Sequence, residues 1–435
     1  VAQDTAKADA ALQNHYLPVV REQINQRALL LFGYSPAELE AGMGHANAVN
    51  GETIDYGGII RDAEKFEFAG RQWFFAAHVG RNESGTATSE GGYIPLPGQQ
   101  AYEDFFDNIN HFYKQIEITG YAMEISERSV ARFLNLLEGE TEGAINDARF
   151  SLNREGYGDS TGNLTEITAE GANTVTVTSV QYLRVGMYID IVNKSTDAIL
   201  AQRRKITAIS GANVVTYDGA DVTAVVGTHV ICITGNWKKE INGLINIIGP
   251  DGANYASLHN VDGSLAGNEY WRGKVVDAAS AAFDPDVAQQ LLDNIGAEGY
   301  ETEILITTRG IRRRYVNTLM SLKRFNDSMA GVLHGGFKTI DFNGVPLTFD
   351  DQCPKGNMFF LRPNDFAWFW LGGNDFRWLQ RDGKILRMVT GAGPNGEDQD
   401  NWRSTLYRFH DLAITRRKTQ GRIKNLQDDA AKVSS

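Results

Sequence analysis

The segment Gly158-Asp159-Ser160-Thr161-Gly162 has the G-x-S-x-G spacing of a nucleophile elbow, in which a strained strand-to-helix turn lifts a serine beside an oxyanion hole. Its surroundings run the other way. A long helical pattern and Arg154-Glu155-Gly156 precede it and a β-like run follows, so the segment is expected to be a loop whose glycines shape the backbone. A serine hydrolase working through Ser160 stays open as a remote alternative. Gly391-Ala392-Gly393-Pro394-Asn395-Gly396 has the letters of G-x-G-x-x-G, but Pro394 offers no N–H to a phosphate and Glu397-Asp398-Gln399-Asp400 would repel one. An acidic surface loop is expected there. No G-x-x-x-x-G-K-[ST], H-E-x-x-H or EF-hand pattern occurs, and the eight His are scattered singly. No catalytic residue, metal ligand or cofactor is therefore assigned.

Two basic clusters stand apart: Arg312-Arg313-Arg314 on a predicted helix, and Arg416, Arg417, Lys418, Arg422 and Lys424 with no intervening acid. Such clusters face a polyanion, an acidic patch on a neighbouring subunit, or water as a solvated face. Whole-chain charge orders these readings. Forty-two Lys plus Arg against 54 Asp plus Glu give a net charge of -12, the wrong sign for a chain whose main work is gripping phosphates. Subunit contact ranks above nucleic acid, and sequence-specific nucleic-acid binding is not expected.

The 435 residues are 42% hydrophobic and 22% charged, enough for about three folded domains without covalent staples. Cys232 and Cys353 are too few and too far apart for a disulfide framework or a Cys-rich zinc site, which fits a reducing compartment. No stretch approaches the ~20 apolar residues of a bilayer span, and Val1-Ala2-Gln3-Asp4 is unlike a signal peptide. Neither membrane insertion nor export is expected, and the missing initiator Met fits either trimming or removal of a longer leader.

The elements that must position any site follow from periodicity. Residues 4 to 32 carry a helical pattern, Leu12, Tyr16, Val19 and Val20, which Pro18 should kink or split. The next thirty residues hold few apolar anchors, and Gly42, Gly44, Gly51, Gly57 and Gly58 suit an arm draped over something else. β-type runs at residues 65 to 80 and 111 to 125 flank residues 82 to 100, rich in Gly, Ser, Thr and Pro; this predicts a two-stranded ribbon with a loose tip. A lone ribbon is marginal in water, so it is expected to lie on another copy of the chain.

Ser126 is placed to cap a helix of about 28 residues, roughly 42 Å long, whose stripe is Val130, Phe133, Leu134, Leu137, Ala144, Ile145, Ala148 and Leu152. Glu138, Glu140 and Glu142 read as its solvated face. Short strands marked by Val175, Val177, Ile189, Ile191, Ile206, Val214, Val222 and Ile231, with turns at Ser210-Gly211 and Asp218-Gly219, predict a small all-β module over residues 165 to 235. Beyond residue 258 helices and strands mix. Asp284-Pro285 opens one helix, a second carries Ile311, Tyr315 and Leu319, Asn343-Gly344 turns a hairpin, and residues 401 to 417 form a last long strand.

This order of arm, ribbon, long helix, mixed domain and returning strand resembles the major capsid proteins of tailed bacteriophages with the Hong Kong 97 fold, most closely those of phages infecting actinobacteria. The residues that carry the resemblance are Gly80-Arg81-Asn82 and Glu90-Gly91-Gly92 at the ribbon tip, Ile118-Thr119-Gly120, Leu152-Asn153-Arg154, and the Gly158 to Gly162 loop. Asn242-Gly243-Leu244, Phe342-Asn343-Gly344-Val345-Pro346-Leu347, Trp402 and Thr419-Gln420-Gly421-Arg422-Ile423 follow in order.

The resemblance implies an α+β chain divided as N-terminal arm 1–65, extended loop 66–125, spine helix and exit 126–164, and inserted β-barrel-like module 165–235. Peripheral segment 236–257, axial domain 258–400, and return strand with C-terminal tail 401–435 complete it. It implies a non-enzymatic subunit that builds pentamers and hexamers of an icosahedral shell in the virion, assembled in the host bacterial cytoplasm. Double-stranded DNA would be contacted weakly, with scaffold, portal and decoration proteins as further partners and no membrane or cofactor. The loop tip, Arg81, Asn82, Glu90, Gly91 and Gly92, would touch a neighbouring subunit, and the basic clusters would face subunit or DNA. An encapsulin-like compartment of the same fold is the alternative.

Overall fold

The computed structural model describes residues 30, 31, 60, 64–67, 70–85, 87–94, 96–121, 130–211, 213–249, 257–322, 340–371, 376–380, 385–390 and 398–428; side chains at 64–67, 130–139, 142 and 320–322 are not described. The arm apart from residues 30, 31 and 60, Ser126, the 391–397 loop and the end of the tail lie outside these, as do the side chains of the first half of the helical stripe, Glu138 and Glu142. The chain divides into two compact units: Val1–Arg61, Asn110–Arg154 and Trp370–His410 form one, and Asp62–Ile109, Glu155–Phe369 and Asp411–Ser435 the other.

Strand β1 spans Glu64–Glu67, and β2 (Gln72–Gly80) pairs antiparallel with β3 (Ala101–Asn108), from Gln72↔Asn108 to Gly80↔Ala101. Along β2, Trp73 is buried and Phe75, Ala77 and Val79 are half-buried, while Gln72, Phe74, Ala76 and His78 are exposed. That alternation marks one wet and one packed face. The ribbon thus has a different second strand from the one periodicity predicts. Residues 111–119 do not close the ribbon; they belong to β4 (Asn110–Thr119). Glu103, Asp104 and Asp107, poor strand formers, mask the strand character of β3, which Tyr102, Phe105 and Phe106 supply. Helix α1 (Val130–Tyr157) follows, with Ala144, Ala148 and Leu152 buried along one stripe.

Strands β5 (Thr165–Gly171), β6 (Thr174–Val177), β7 (Tyr188–Asn193), β8 (Ile199–Ser210), β9 (Val214–Tyr217) and β10 (His229–Ile233) close a barrel in the order β10-β5-β6-β9-β8-β7. Ile167, Val175, Val177, Ile189, Ile191, Ile206, Val215 and Ile231 fill it. Full burial of each is worth about 1.5–3 kcal/mol as an upper estimate. The buried Asp190 on β7 is held by backbone, accepting from Arg203 N at 2.7 Å and Gly235 N at 2.9 Å. Gln181 Nε2 donates to the carbonyls of Asp351 and Cys353, and Tyr182 Oη donates to that of Gln352, so the barrel is tied to the mixed domain by side chain to backbone bonds.

A short helix, α2 (Leu244–Ile248), leads to the hairpin β11 (Ser257–Leu258) and β12 (Val261–Asp262). Strand β13 (Lys274–Asp277), helix α3 (Pro285–Gly296), strand β14 (Ile304–Thr307), helix α4 (Arg309–Leu322) and strands β15 (Ile340–Phe342), β16 (Val345–Phe349) and β17 (Met358–Leu361) then alternate. Strand β18 (Phe366–Trp370) neighbours β1. Short β19 (Arg377–Trp378) and β20 (Arg387–Val389) pair with the long β21 (Gln399–Ile414), and β22 (Gly421–Lys424) completes the mixed sheet β13-β22-β17-β14-β16-β15.

Asp284 caps α3 by accepting from Asp286 N at 3.0 Å, with Pro285 in the first turn. The helix lays Leu291 and Ile295 onto the start of β22, where a Cβ on Gly421 would sit 2.9 Å from Ile295 Cδ1. In the other unit, β4 pairs antiparallel with β21 from Asn401↔Thr119 to His410↔Asn110, and Glu117 is held by Asn401 and Arg403. Lys114 reaches Asp147 of α1 at 3.3 Å.

Candidate functional site

At the exit of α1 the Gly158 to Gly162 loop is built for shape. Asp159 Oδ1 accepts from both Thr161 N and Thr161 Oγ1, a local turn. Among the described residues the partner of Ser160 Oγ is the Asn246 amide, which donates to it at 3.3 Å. An amide donor cannot take the serine proton, so the bond is of the wrong kind for a nucleophile and its base. A Cβ on Gly243 would stand 2.4 Å from Glu155 O and from Gly158 N. Chain segments at α1 and α2 therefore touch through their glycines, and the motif match is a packing device.

At the ribbon tip, Asn82 spans the two sides of the loop: its Nδ2 donates to Gly98 O at 2.9 Å while its Oδ1 accepts from Ser84 N at 2.9 Å. Gly91 at φ +78° lets Gly92 N donate to Ser89 O, turning the chain back. Arg81 and Glu90 are exposed. Beside these expected residues the structure adds three others, Tyr93, Ile94 and Leu96, which are 97%, 90% and 88% exposed. A cluster of large apolar side chains held in water is the mark of a surface awaiting cover. Its sequence signal was Tyr-Ile and Leu inside an otherwise polar loop.

The second basic cluster corrects an expectation. Arg417 faces neither neighbour nor DNA: it is fully buried, its guanidinium donating to the carbonyls of Ile247 at 2.5 Å, Asn246 at 3.1 Å and Trp271 at 3.2 Å. Arg416 pairs with Asp365 at 3.1 Å and lies over Tyr300, and Lys418 pairs with Glu298 at 3.0 Å. Their counter-charges come from other elements, invisible in the local run of bases. Arg422 donates to Asn357 Oδ1 at 2.7 Å, and Lys424 reaches Asp277. In the first cluster Arg312 stacks over Phe349, where burial and the neighbouring Arg309 charge lower its proton affinity; Arg313 is exposed and Arg314 half-buried. Arg309 itself is clamped on Asp351.

Sequence reasoning missed a polar junction at the ribbon root. Asp411 Oδ1 accepts from the backbone N–H groups of Asn242 and Leu412, and its Oδ2 accepts from Trp73 Nε1 at 3.2 Å and Asn242 Nδ2 at 3.1 Å. The same Asn242 Nδ2 donates to Asp107 Oδ2 at 3.1 Å. His259 Nδ1 lies 3.4 Å from Asp107 Oδ2, and its Nε2 accepts from Ile414 N, which assigns the ring proton to Nδ1. Trp73 stacks on Phe369 and meets the His259 ring edge-on. Burial, and then the Asp107 charge, push the Asp411 carboxyl up to about 8, whereas burial holds His259 below its ordinary range and therefore neutral. Asp107 is held below the carboxylate range: burial raises it, but His259, Asn108 and Asn242 together outweigh that. Among the described residues no group of three or more His, Cys, Asp or Glu is placed to hold a metal ion, and no helix is long and apolar enough to cross a membrane.

No family model and no curated protein matches the sequence. Solved structures do. A chain of the Cyanophage A-1(L) capsid asymmetric unit superposes with a TM-score of 0.52 at 10% identity, covering 88% of this chain and 97% of that one. A structure from Mycobacterium phage Adephagia gives 0.45 at 8% identity over 91% and 99%, and the SrpI encapsulin of Synechococcus elongatus PCC 7942 gives 0.41 at 10% over 91% and 98%. The first of these sets the fold: the chain has the Hong Kong 97-like architecture of a phage capsid subunit.

Proposed function

We propose that the chain is the major structural subunit of an icosahedral shell that encloses the double-stranded DNA of a tailed phage. The observation that carries this reading is fold likeness over nearly the full length of a phage capsid subunit. The ribbon tip supports it, because Tyr93, Ile94 and Leu96 stand in water on a loop that a neighbouring copy can cover. No catalytic step is assigned, since Ser160 is bonded to an amide and not to a base. Modest contacts repeated by arms and ribbons across many copies would add up to a stable shell. An acidic subunit of net charge -12 would confine DNA without gripping it.

The finer division proposed is a ribbon over residues 72–108, a barrel inserted at 165–235 as an addition to the minimal subunit, and an axial domain over 258–400. Scaffold, portal and decoration proteins would be its partners, with assembly in the host cytoplasm. The test is the content of the particles. Particles purified after co-expression with neighbouring genes and treated with nuclease should hold protected DNA. Particles that instead hold a folded enzyme and no DNA would favour an encapsulin-like compartment.

A further inference from the structure

We propose that α3 and α4 are the two halves of a head-to-tail contact, in which the arginine-bearing start of α4 on one copy docks on the acidic face of α3 on the next. The contact presupposes the shell subunit proposed above and is what closes its copies into a ring. Both helices cover one face of the mixed sheet, where Leu291 and Ile295 of α3 and Ile311 and Tyr315 of α4 enter one core with Leu305 and Phe360. Their seats differ. Helix α3 lies on β13 and β22 at one edge of the sheet, and α4 lies on β16 beside the opposite edge strand, β15. Strands β13 and β14 run in the same direction, related through β22 and β17, and each helix begins after one of them. The first turns of α3 and α4 therefore lie at the same end of the sheet.

Each helix carries charge of one sign. Helix α4 holds Arg309, Arg312, Arg313 and Arg314 and no acid, whereas α3 holds Asp286 and Asp293, with Asp284 at its cap, and no Lys or Arg. Arg313, Asp284, Asp286 and Asp293 are exposed, and among the described residues none of these four forms an ion pair. The helix dipoles do not account for the placement. The arginines crowd the start of α4, where the helix end is already positive, and Asp293 stands in the last turn of α3, where it is negative. Neighbouring charges leave both signs standing. Beside α3, Lys274 and Lys418 are bound to Glu298, and Lys424 to Asp277. Beside α4, Asp351 is taken by Arg309, and Asp341 of β15 is one further exposed acid.

The signs select the partner. Two α4 edges repel each other, as do two α3 edges, and only α4 against α3 attracts, so a repeated rotation joins unlike edges where a twofold pairing would join like ones. With the first turns at one level, Arg313 of one copy faces Asp286 of the next when the sheets stand edge to edge. A nucleic acid would engage α4 alone and be repelled by α3, so a second copy of this chain fits the pair of helices better.

Assembly of the full-length chain, followed by light scattering and sedimentation at about 50 and about 500 mM NaCl, tests the contact. Arg313→Glu, and separately Asp286→Lys with Asp293→Lys, should slow assembly about tenfold or more at the lower salt, with a smaller difference at the higher. The chain carrying all three substitutions should return to within about threefold of wild type, because the unlike edges are restored with their signs exchanged. Reversals that assemble as fast as wild type overturn the contact and leave the shell reading standing. Slow assembly that the triple variant does not recover overturns it as well. Arg313→Glu shells that form at the normal rate but protect less DNA from nuclease would overturn it in favour of DNA on α4. A wild-type chain that never leaves the monomer overturns the contact and the shell reading together.

Discussion

Trp73 and Asp411, 338 positions apart, meet through an indole N–H donated to a buried carboxylate at 3.2 Å, and this bond seats the ribbon on the last long strand. Replacing Trp73 by Phe keeps an aromatic ring between Phe75 and Phe369 but removes the donor. A destabilisation of about 1–3 kcal/mol is expected, because the buried Asp411 Oδ2 loses the indole donor and keeps the Asn242 amide. Urea unfolding of the purified variant measures it, and Trp73→Ala should cost more, about 3–5 kcal/mol.

Stability should fall as pH rises from about 4 to about 8 in so far as Asp411 governs it. Its folded carboxyl lies near 8, above the ordinary 3.8, so the folded chain binds that proton more tightly than the unfolded one. The contribution is complete below the unfolded value and is lost as pH climbs through the folded one. Asp107, displaced downward, works in the opposite sense: its contribution is present above about 4 and is lost on acidification below that. Urea midpoints taken at intervals from pH 3 to 9 should therefore pass through a maximum on the acid side of neutrality. A maximum above pH 8 would contradict the Asp411 assignment, and a stability level from pH 3 to 4 would contradict that of Asp107.

Two glycines separate strain that can relax from strain that cannot. At Gly421 an added methyl would meet the flexible ends of Ile295 and Leu291, so Gly421→Ala should cost about 1–3 kcal/mol and still fold. At Gly243 it would meet backbone atoms of Glu155 and Gly158 at 2.4 Å. Gly243→Ala should yield little soluble chain under conditions where Gly421→Ala is recovered normally; the comparison is a solubility assay.

Arg417 satisfies three backbone carbonyls that no other described side chain is shown to reach. Arg417→Met fills much of the same space with no donors, and a loss of about 3 kcal/mol or more is expected from the stranded carbonyls. Calorimetry would show this as a lowered Tm. A neutral result would mean that the buried guanidinium contributes no net stability.

What could be read from sequence divides along local and distant causes. The Asn343-Gly344 hairpin was legible because its left-handed φ values of 49° and 81° are a property of the two residues themselves. So was the start of α3, where Asp284-Pro285 acts within one turn. Helix α1 appeared through its stripe, and the turns at Ser210-Gly211 and Asp218-Gly219 fall on either side of β9. The partner of residues 110–119 was not legible, because β21 arrives some 290 positions later and leaves no local mark.

Arg416, Arg417 and Lys418 misled for the same reason: Asp365, Glu298 and the carbonyls that hold them belong to other elements. The ribbon root escaped altogether, since Asp107, Asn242, His259 and Asp411 are single polar residues without spacing. Folding alone assembles them. If the proposed shell covers the exposed tip, Tyr93, Ile94 and Leu96 changed together to Ser should leave the thermal unfolding of the chain unaltered while weakening its shells. Shells as stable as wild type toward urea would contradict the assignment of the tip as a covered surface.

Negative-stain electron microscopy of the purified full-length chain, expressed with its neighbouring genes, decides whether it builds a shell. Uniform polyhedral shells tens of nanometres across are expected. A persistent monomer of 48.0 kDa, with its ribbon tip still open to water, would contradict the proposed shell.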